Sequence, residues 1–392
     1  MSSVQGTDSS LTTLPAWLQE QVQRQPSGIA LRHKHLGIWQ VRSWMQVAEE
    51  VGVLAGALHA KGFGAGASLA VLSRPRPEAL LLSLAAQWLG GEAALFDPLE
   101  PAESQAALLS ELRPQFLFAE GLAELRRVQG AGVTPGLVLY ADTRGVANDS
   151  LAAPVLDYQT LLAEGRNTLS PLQARADDTA FALYRQTATG ALELQRISHS
   201  ELLQHGVHLV QHEQLSRHEE ALAARAFAAG GQARYLLAPW LIAGFCLNFP
   251  ENLATRDHDR RELGPTLVAG TRDTYARLHT QVLHRLPEPG SWRRRLVDWA
   301  LRPTPGAWRR SAGYWLIRRP LRDVLGFSRT RAALLVGEPL DEPVQAFFHA
   351  LDITVRPWPD PAQWHSPVAR PELVPTGWSH TGPKLVRQGN AL

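Results

Sequence analysis

The chain has 392 residues, of which 45% are hydrophobic and 19% are charged, and its formal net charge at pH 7 is +2. This length is typical of two or three domains with a large buried core, and the near-neutral charge excludes an overall electrostatic attraction to nucleic acid. The single cysteine, Cys246, excludes an intrachain disulfide and a cysteine-based metal cluster. We therefore expect a globular protein of the reducing cytoplasm, without a nucleic-acid partner.

Neither the N-terminus nor any internal run predicts a membrane or export segment. Residues 1–13 are polar and lack the basic flank and apolar run of a secretory signal, so we expect a disordered tail there. The longest nearly uncharged run, residues 235–250, is too short to span a bilayer and contains Pro239 and Gly244.

Strand and helix patterns alternate along the first 140 residues. Apolar residues recur at helical spacing over 14–25 and 44–61, whereas residues 29–41 alternate in the manner of a β-hairpin. Further elements follow in the order strand 68–73, helix 77–89, strand 92–96, helix 102–112, strand 115–119, helix 122–128 and strand 137–140. This alternation predicts an α/β fold with a doubly wound, mostly parallel sheet.

A change of composition divides the chain. Residues 143–176 are polar and rich in small side chains, which is typical of a linker. We therefore predict a first α/β subdomain over residues 14–175 and a second over residues 176–356, followed by a short segment, residues 357–392.

The stretch 184–199, YRQTATGALELQRISH, follows a short apolar run that predicts a buried strand. Its last residues predict a helix N-cap at Ser198 or Ser200. Strand, small-residue loop and helix together can hold phosphate, because free backbone N–H groups and a helix N-terminus attract anions. However, the loop has one glycine, Gly190, no lysine, and an acid, Glu193, in its second half. Its position predicts a phosphate loop, and its residue types argue against one.

This stretch resembles the nucleotide-binding signature of AMP-forming acyl-CoA synthetases, which runs Tyr-Thr-Ser-Gly-Thr-Thr-Gly-x-Pro-Lys-Gly and continues to Ser-His. Thr187 stands where the signature has glycine, and Glu193 stands where it has lysine. The resemblance implies the N-terminal fold of adenylate-forming enzymes, with two doubly wound sheets, flanking helices and a remnant of the small β subdomain at the C-terminus. An ungapped alignment matches Tyr184, Thr189, Gly190, Ser198 and His199.

Later stretches resemble the long-chain fatty acid–CoA ligase branch of this superfamily. Residues 245–266, FCLNFPENLATRDHDRRELGPT, are similar to its Asn-Phe-Pro-Glu … Arg-Glu-x-x-Pro-Thr segment, and residues 320–326 to its Pro-Leu-Arg-Asp-x-Leu-Gly segment. We interpret residues 235–237 as a strand that leads into the family's turn beside the acyl pocket. By the same resemblance, the residues expected around an acyl pocket are Trp240, Gly244, Gly270 and Gly337.

Three further departures from the family concern ATP. Where the family has Tyr-Gly-x-Thr-Glu, whose Glu positions magnesium, residues 356–365 read RPWPDPAQWH. Pro383 stands where the family has the Asp that holds the ribose, and the sequence ends at Leu392, so we expect the small C-terminal lid domain to be absent. Adenylyl chemistry depends on positioned donors, each worth about 3–4 kcal/mol in catalysis. The four departures together predict a degenerate nucleotide site that needs no cofactor.

Three histidines share one face of the helix predicted after the loop. His205, His208 and His212 lie at i, i+3 and i+7, and three imidazoles so arranged could bind zinc or another divalent metal. No acidic or cysteine ligand accompanies them in a fixed pattern. We therefore predict a polar helix face and no metal.

Residues 292–331 have eleven arginines against Asp298 and Asp323, interleaved with tryptophans. This composition suits the surface of an anionic membrane, where each basic residue contributes on the order of 1 kcal/mol. A solvated helical hairpin with inward tryptophans fits equally well, and single-stranded nucleic acid would use the same residue types, although the near-neutral chain argues against it. The residues expected at a membrane surface are Trp292, Arg295, Trp299, Arg302, Trp308, Arg309 and Trp315.

Three functions are consistent with these patterns. The first is a non-catalytic relative of acyl-CoA synthetases that binds a fatty acid, an acyl-CoA or a partner synthetase, with or without contact to the inner face of a membrane. The second is an AMP-forming long-chain ligase that uses ATP and Mg²⁺ through altered contacts or as half of a split enzyme. The third is the product of a decaying gene. We favour the first, because four departures in one site are hard to compensate.

Overall fold

The computed structural model describes residues 11–146, 153–168, 170–187, 189–228, 231–302, 311–361 and 365. Most of the expected tail, Trp308, Arg309 and Pro383 lie outside the described residues. Within the described part, no helix is long and apolar enough to cross a bilayer.

The architecture is α/β, as the sequence predicts, and contains two seven-stranded sheets. The strands are β1 (Ile29–His35), β2 (Ile38–Ser43), β3 (Ser68–Leu72), β4 (Glu92–Phe96), β5 (Phe116–Ala119), β6 (Leu137–Tyr140), β7 (Val155–Asp157), β8 (Thr179–Gln186), β9 (Leu192–Ser198), β10 (Glu220–Leu222), β11 (Cys246–Phe249), β12 (Leu267–Gly270), β13 (Ala332–Val336) and β14 (Val355–Trp358).

Helices connect most of these strands. They are α1 (Leu14–Arg24), α2 (Trp44–Ala60), α3 (Pro77–Trp88), α4 (Ala102–Leu112), α5 (Leu122–Gly130), α6 (Tyr158–Gly165), α7 (His199–His212), α8 (Ala238–Ala243), α9 (Arg256–Leu263), α10 (Arg272–Leu283), α11 (Trp292–Leu301), α12 (Arg319–Leu325) and α13 (Glu342–Ala350). A π-helical turn, Ala233–Leu237, runs directly into α8, and another, Tyr314–Arg318, runs into α12.

The first sheet has the order β7-β6-β5-β3-β4-β8-β9, and the second has the order β14-β13-β12-β10-β11-β1-β2. Each contains a single antiparallel pair, β8 with β9 and β1 with β2. The segment predicted as a linker includes β7 and α6. Tyr158 of α6 is buried and donates to Glu50 of α2 at 2.8 Å.

Both sheets share one apolar core, which also contains α1, α2, α3 and α8. In its centre Trp44 of α2 stacks on Trp240 of α8 with ring centroids 4.9 Å apart. A second cluster lies on the other face of the second sheet, where α10 and α13 pack through residues such as Tyr275 and Phe348. Each sheet is therefore covered on both faces, as its parallel strands require.

The prediction of a strand at residues 235–237 is wrong. These residues belong to the π-helical turn that continues into α8, and Pro239, which lacks an N–H, lies where the wider turn changes to the α-helix. A short apolar run suits a buried strand and a buried helix equally, because every face is covered in both cases.

Candidate functional site

The loop singled out in the sequence closes a β-hairpin. β8 and β9 pair along their length up to Gln186 and Leu192, so the described residues between them, 187 and 189–191, belong to the turn of an antiparallel hairpin. Ser198 does cap α7, because its Oγ accepts from the N–H of Glu201 at 3.2 Å. However, all of β9 separates this helix N-terminus from the turn. The expected strand–loop–helix arrangement is wrong, because residues 192–198 form a strand, with Leu192 and Leu194 packed in the core on one face of the sheet and Ile197 in the core on the other.

The hairpin turn, residues 187 and 189–191, is held by hydrogen bonds among its own polar groups. The Thr187 N–H donates to the Ala191 carbonyl at 2.8 Å, and the Gly190 N–H donates to the Thr187 carbonyl at 2.9 Å. The Ala191 N–H donates to Thr187 Oγ1 at 3.1 Å, and Thr187 and Thr189 join their hydroxyls at 2.8 Å. A phosphate cradle needs N–H groups directed at the anion. In this turn the N–H groups of Thr187, Gly190 and Ala191 are engaged internally.

Glu193, at the position of the signature lysine, is paired with a cation. It lies opposite Arg185 in the β8–β9 register, and Arg185 Nη2 lies 2.7 Å from Glu193 Oε2. The charge of the Glu193 carboxylate is therefore neutralised by Arg185. The arginine faces the carboxylate and leaves no positive group at the lysine position.

Arg234, in the turn before α8, organises a second polar cluster beside this hairpin. Its side chain is 1% exposed and donates to Glu201 Oε1 of α7 at 2.7 Å and to Asp360 Oδ1 after β14 at 3.3 Å. Burial raises the pKa of Asp360, although Arg234 opposes that shift. Sequence reasoning missed this network, since its members lie 33 and 126 residues apart and share no motif.

The chain after β14 crosses from the second sheet towards the first. Tyr235 Oη donates to the Pro359 carbonyl, and at His365 the chain pairs with Leu194 of β9 through hydrogen bonds of 2.7 and 2.9 Å. This crossing segment, residues 359–361 and 365, lies within the stretch that replaces the family's Tyr-Gly-x-Thr-Glu.

The three histidines of α7 face the end of β14. The rings of His208 and His212 lie 5.4 and 5.3 Å from the Trp358 ring, and His205 lies 6.4 Å from the Tyr235 ring. Burial, and then the nearby Arg234 charge, lower the pKa of His205. Among the described residues, no group of three or more His, Cys, Asp or Glu side chains could hold a metal ion.

The four residues expected around an acyl pocket occupy two separate places. Gly270 is the last residue of β12, and Gly337 directly follows β13. The two glycines therefore lie at the carboxyl ends of neighbouring strands. In contrast, Trp240 is fully buried in the core and donates to the Ala30 carbonyl at 2.9 Å. Gly244 ends α8 with a φ of +73°, in close contact with α1. The structure brings the first two together and not the last two.

The arginine–tryptophan stretch exposes part of its aromatic surface. Trp292 and Trp315 are 70% and 58% exposed, and the Arg319 guanidinium lies 4.5 Å from the Trp315 ring. Trp299 is half-buried, whereas Arg295 and Arg302 are exposed. The tryptophans therefore do not all pack inward.

Solved structures of adenylation domains share this fold. The chain is 15% identical to the adenylation domain of a carboxylate reductase from Mycobacterium chelonae, with a TM-score of 0.68. The structural match covers 90% of this chain and 58% of the reductase domain. A Segniliparus rugosus carboxylic acid reductase domain in complex with AMP and a co-purified carboxylic acid gives 15% identity, a TM-score of 0.67 and coverages of 89% and 60%.

A third neighbour is the fatty acyl-adenylate ligase from L. pneumophila in complex with acyl adenylate and pyrophosphate. It gives 14% identity, a TM-score of 0.60 and coverages of 88% and 53%. The chain thus spans less than two thirds of the length of these three neighbours. No curated protein sequence matches the chain.

The family model described as AMP-binding enzyme matches residues 18–356, which is most of the chain and includes both sheets. Together with the two mostly parallel sheets and their shared core, this match shows that the chain belongs to the AMP-binding enzyme family.

Proposed function

We propose that this domain has kept the adenylate-forming fold to bind a carboxylic acid or its acyl thioester and does not form acyl-adenylate. The observation that carries the proposal is the hairpin turn, in which three N–H groups bond internally and the acid at the lysine position pairs with Arg185. A triphosphate would have to break these hydrogen bonds before it gained any from the turn.

The crossing segment supports the same proposal. The resemblance puts the magnesium carboxylate within residues 356–365, and Asp360 is the only acid in that stretch. Asp360 is already bonded to buried Arg234. A cation at Asp360 would face the positive charge of Arg234 at close range, which disfavours Mg²⁺ there.

An acyl ligand is supported by the family and by its neighbours. One solved neighbour contains a co-purified carboxylic acid and another contains an acyl adenylate. The preference for a long-chain acid rests on the resemblance of residues 245–266 to long-chain ligases.

Thermal unfolding with separate ligands tests the proposal. We expect palmitate or palmitoyl-CoA to raise the Tm and ATP·Mg to leave it unchanged, since only a ligand bound to the native state stabilises it. Stabilisation by ATP·Mg without any effect of the acyl ligands would overturn the proposal.

The alternative is an AMP-forming long-chain ligase with altered ATP contacts. ATP–pyrophosphate exchange with long-chain acids measures adenylate formation directly, both for the chain alone and with a separately supplied C-terminal domain of the family. Exchange above the no-enzyme rate would establish the ligase, and no exchange in either mixture supports the binding function.

We also propose that the exposed side of α11 and of the π-helical turn that leads into α12 contacts anionic lipid. Trp292, Trp315 and Leu316 are exposed there beside Arg293 and Arg319, which form no ion pair with any described residue. The protein should sediment together with phosphatidylglycerol vesicles, and the double variant Trp292→Ser/Trp315→Ser should lose most of that binding. Leu99→Ser, another exposed apolar residue, is the control. Equal retention of the double variant would refute the contact.

A further inference from the structure

The second sheet changes the direction of its connections between β10 and β12. After β10 the chain enters α8, which packs in the core shared by the two sheets, whereas after β12 it enters α10 on the opposite face. β10 and β12 are neighbours and parallel. The segments that follow their carboxyl ends therefore turn to opposite faces, and at such a switch point an open α/β sheet has a crevice that binds ligands.

Four arginines converge at this crevice. Arg225, after β10, reaches across to α10, where its Nη1 donates to Thr271 Oγ1 at 2.7 Å and to Thr274 Oγ1 at 3.4 Å. The other three surround one carboxylate, Asp257, at the start of α9. They are Arg256, Arg260 and Arg277, and together with Arg225 and Asp257 they form the arginine crevice.

The arginine crevice has fewer carboxylates than guanidiniums. Among the described residues, Asp257 is the only carboxylate that pairs with a guanidinium of the arginine crevice, and Arg225 pairs with none. The Nε atom of Arg225 is buried without a hydrogen-bond partner, whereas that of Arg256 lies 3.6 Å from Asp257 Oδ1, which also has no hydrogen-bond partner. Buried donors in native proteins almost always have an acceptor, so the unpartnered Nε of Arg225, whose guanidinium has no counter-charge, indicates an acceptor that the described part of the chain does not supply.

The titration behaviour agrees with this shortage. Burial lowers the pKa of Arg256, and the charges of Arg277 and Arg225 lower it further. Burial also lowers the pKa of Arg260 to about 10. Asp257 shows the opposite response: a hydrogen bond from Gln281 and the charge of Arg260 hold its pKa at about 2 in spite of burial.

We propose that the arginine crevice binds an oxyanion, either a carboxylate or a phosphate group of a ligand. The planar guanidinium matches both groups. The Thr271 and Thr274 hydroxyls accept from Arg225 and lie 3.5 Å apart, so one of them donates to the other and the second keeps its O–H for a ligand oxygen. The crevice is open to solvent, since Arg256 and Arg277 keep 20% and 32% of their side chains exposed. This inference is independent of the proposed function, because it needs neither ATP nor an acyl chain.

Calorimetric titration of the full chain with sodium phosphate and with adipate, in separate arms without ATP, tests the site. Sodium chloride at matched ionic strength is the reference. We expect one of the two oxyanions to bind, and Arg225→Gln and Arg256→Gln each to weaken it by roughly tenfold or more, since hydrogen bonds to charged groups are strong. Binding of phosphate alone identifies a phosphoryl ligand, and binding of adipate alone identifies a carboxylate.

Arg293→Gln is the matched control, because Arg293 is exposed on α11 and forms no ion pair with a described residue. It should bind like the wild type. Arg225 has no counter-charge, so we expect Arg225→Gln to remain folded with an unchanged or higher Tm in the absence of ligand. No binding by either oxyanion, equal binding by Arg225→Gln, or an equal response to chloride would each overturn the proposal.

Discussion

Two arginine clusters of the second sheet differ in how their charge is balanced. Around Arg234, two carboxylates, Glu201 and Asp360, face one buried guanidinium. In the arginine crevice, one carboxylate, Asp257, pairs with three guanidiniums, and the fourth, that of Arg225, pairs with none among the described residues. The first cluster is complete within the chain and joins α7 to the crossing segment. The second is complete only with an added anion.

The nucleotide signature inherited from the family and the proposed oxyanion site therefore lie in different parts of the molecule. The resemblance to a nucleotide signature lies at the β8–β9 hairpin, where the polar groups of the turn are mutually satisfied. The arginine crevice, which carries no recognised motif, contains a buried guanidinium donor without a partner, Arg225 Nε. Unsatisfied buried groups cost free energy in every folded molecule, so a protein that keeps them has a physical reason to bind a complement.

The largest expected effect comes from breaking the balanced cluster. Arg234→Met should lower the free energy of unfolding by about 3 kcal/mol, because it leaves Glu201 and Asp360 together without their cation. Urea unfolding at pH 7 measures it. Arg185→Met, which removes a half-exposed pair with Glu193, is the control and should cost less than about 1 kcal/mol. Equal losses in the two variants would contradict the structural role of Arg234.

A substitution in the arginine crevice should cause a smaller loss in the free energy of unfolding. Asp257→Asn should cost about 2 kcal/mol at pH 7, because the carboxylate has a pKa of about 2 in the folded protein and a higher one when unfolded. Its contribution is present above the unfolded pKa, near 4, and is lost as the pH falls towards 2.

Urea unfolding from pH 7 down to pH 3 measures this effect. The difference in the free energy of unfolding between wild type and Asp257→Asn should become smaller below about pH 4. Added phosphate should reduce the loss of stability that Asp257→Asn causes at pH 7. Asp273→Asn, an exposed carboxylate of α10 without an ion pair among the described residues, is the control. A pH-independent difference would rule out the charge of Asp257 as its cause.

The hairpin turn should depend on its glycine. Gly190 has a φ of +83°, so Gly190→Ala should cost about 1 kcal/mol through backbone strain alone. Gly130→Ala is the matched control, since Gly130 lies in α5 with open space around it and no left-handed φ. Thermal unfolding should show a lower Tm for the first variant and an equal or higher Tm for the second.

The smallest effect on stability is expected at the position of the lost lysine. Glu193→Lys puts two cations opposite each other at Arg185 and should cost less than about 1 kcal/mol. Because the N–H groups of the turn stay engaged, we expect no gain of stabilisation by ATP·Mg in thermal unfolding. A clear ATP·Mg response would mean that the turn opens readily and that the lysine alone was lacking.

Much of the fold was predictable because its signals are local. The helical spacing and Ser43 predict α2, and the structure places Ser43 as its N-cap in a capping box with Gln46. The apolar runs of β3, β4 and β5 predict buried parallel strands, and these strands form the middle of the first sheet. The run at residues 235–237 was predicted wrongly, because a segment buried on all sides has no periodicity to read.

The candidate sites were less predictable, because their partners come from distant parts of the chain. The degenerate signature at residues 184–199 was visible in the sequence, although the strand LELQRIS inside it was not recognised. Nothing in the sequence near Arg234 indicates Asp360, and nothing near Arg225 indicates Thr271 or Arg256.

The sequence by itself determined the order of strands and helices over the first 140 residues, the family resemblance and the acid at the lysine position, since each depends on neighbouring residues. The tertiary structure decided which charges meet. It gave Arg234 two carboxylates and left the arginine crevice with one, because the topology of the second sheet brings residues from β10, α9 and α10 to a single edge. Charge balance depends on distance in space, and distance in space is a property of the fold.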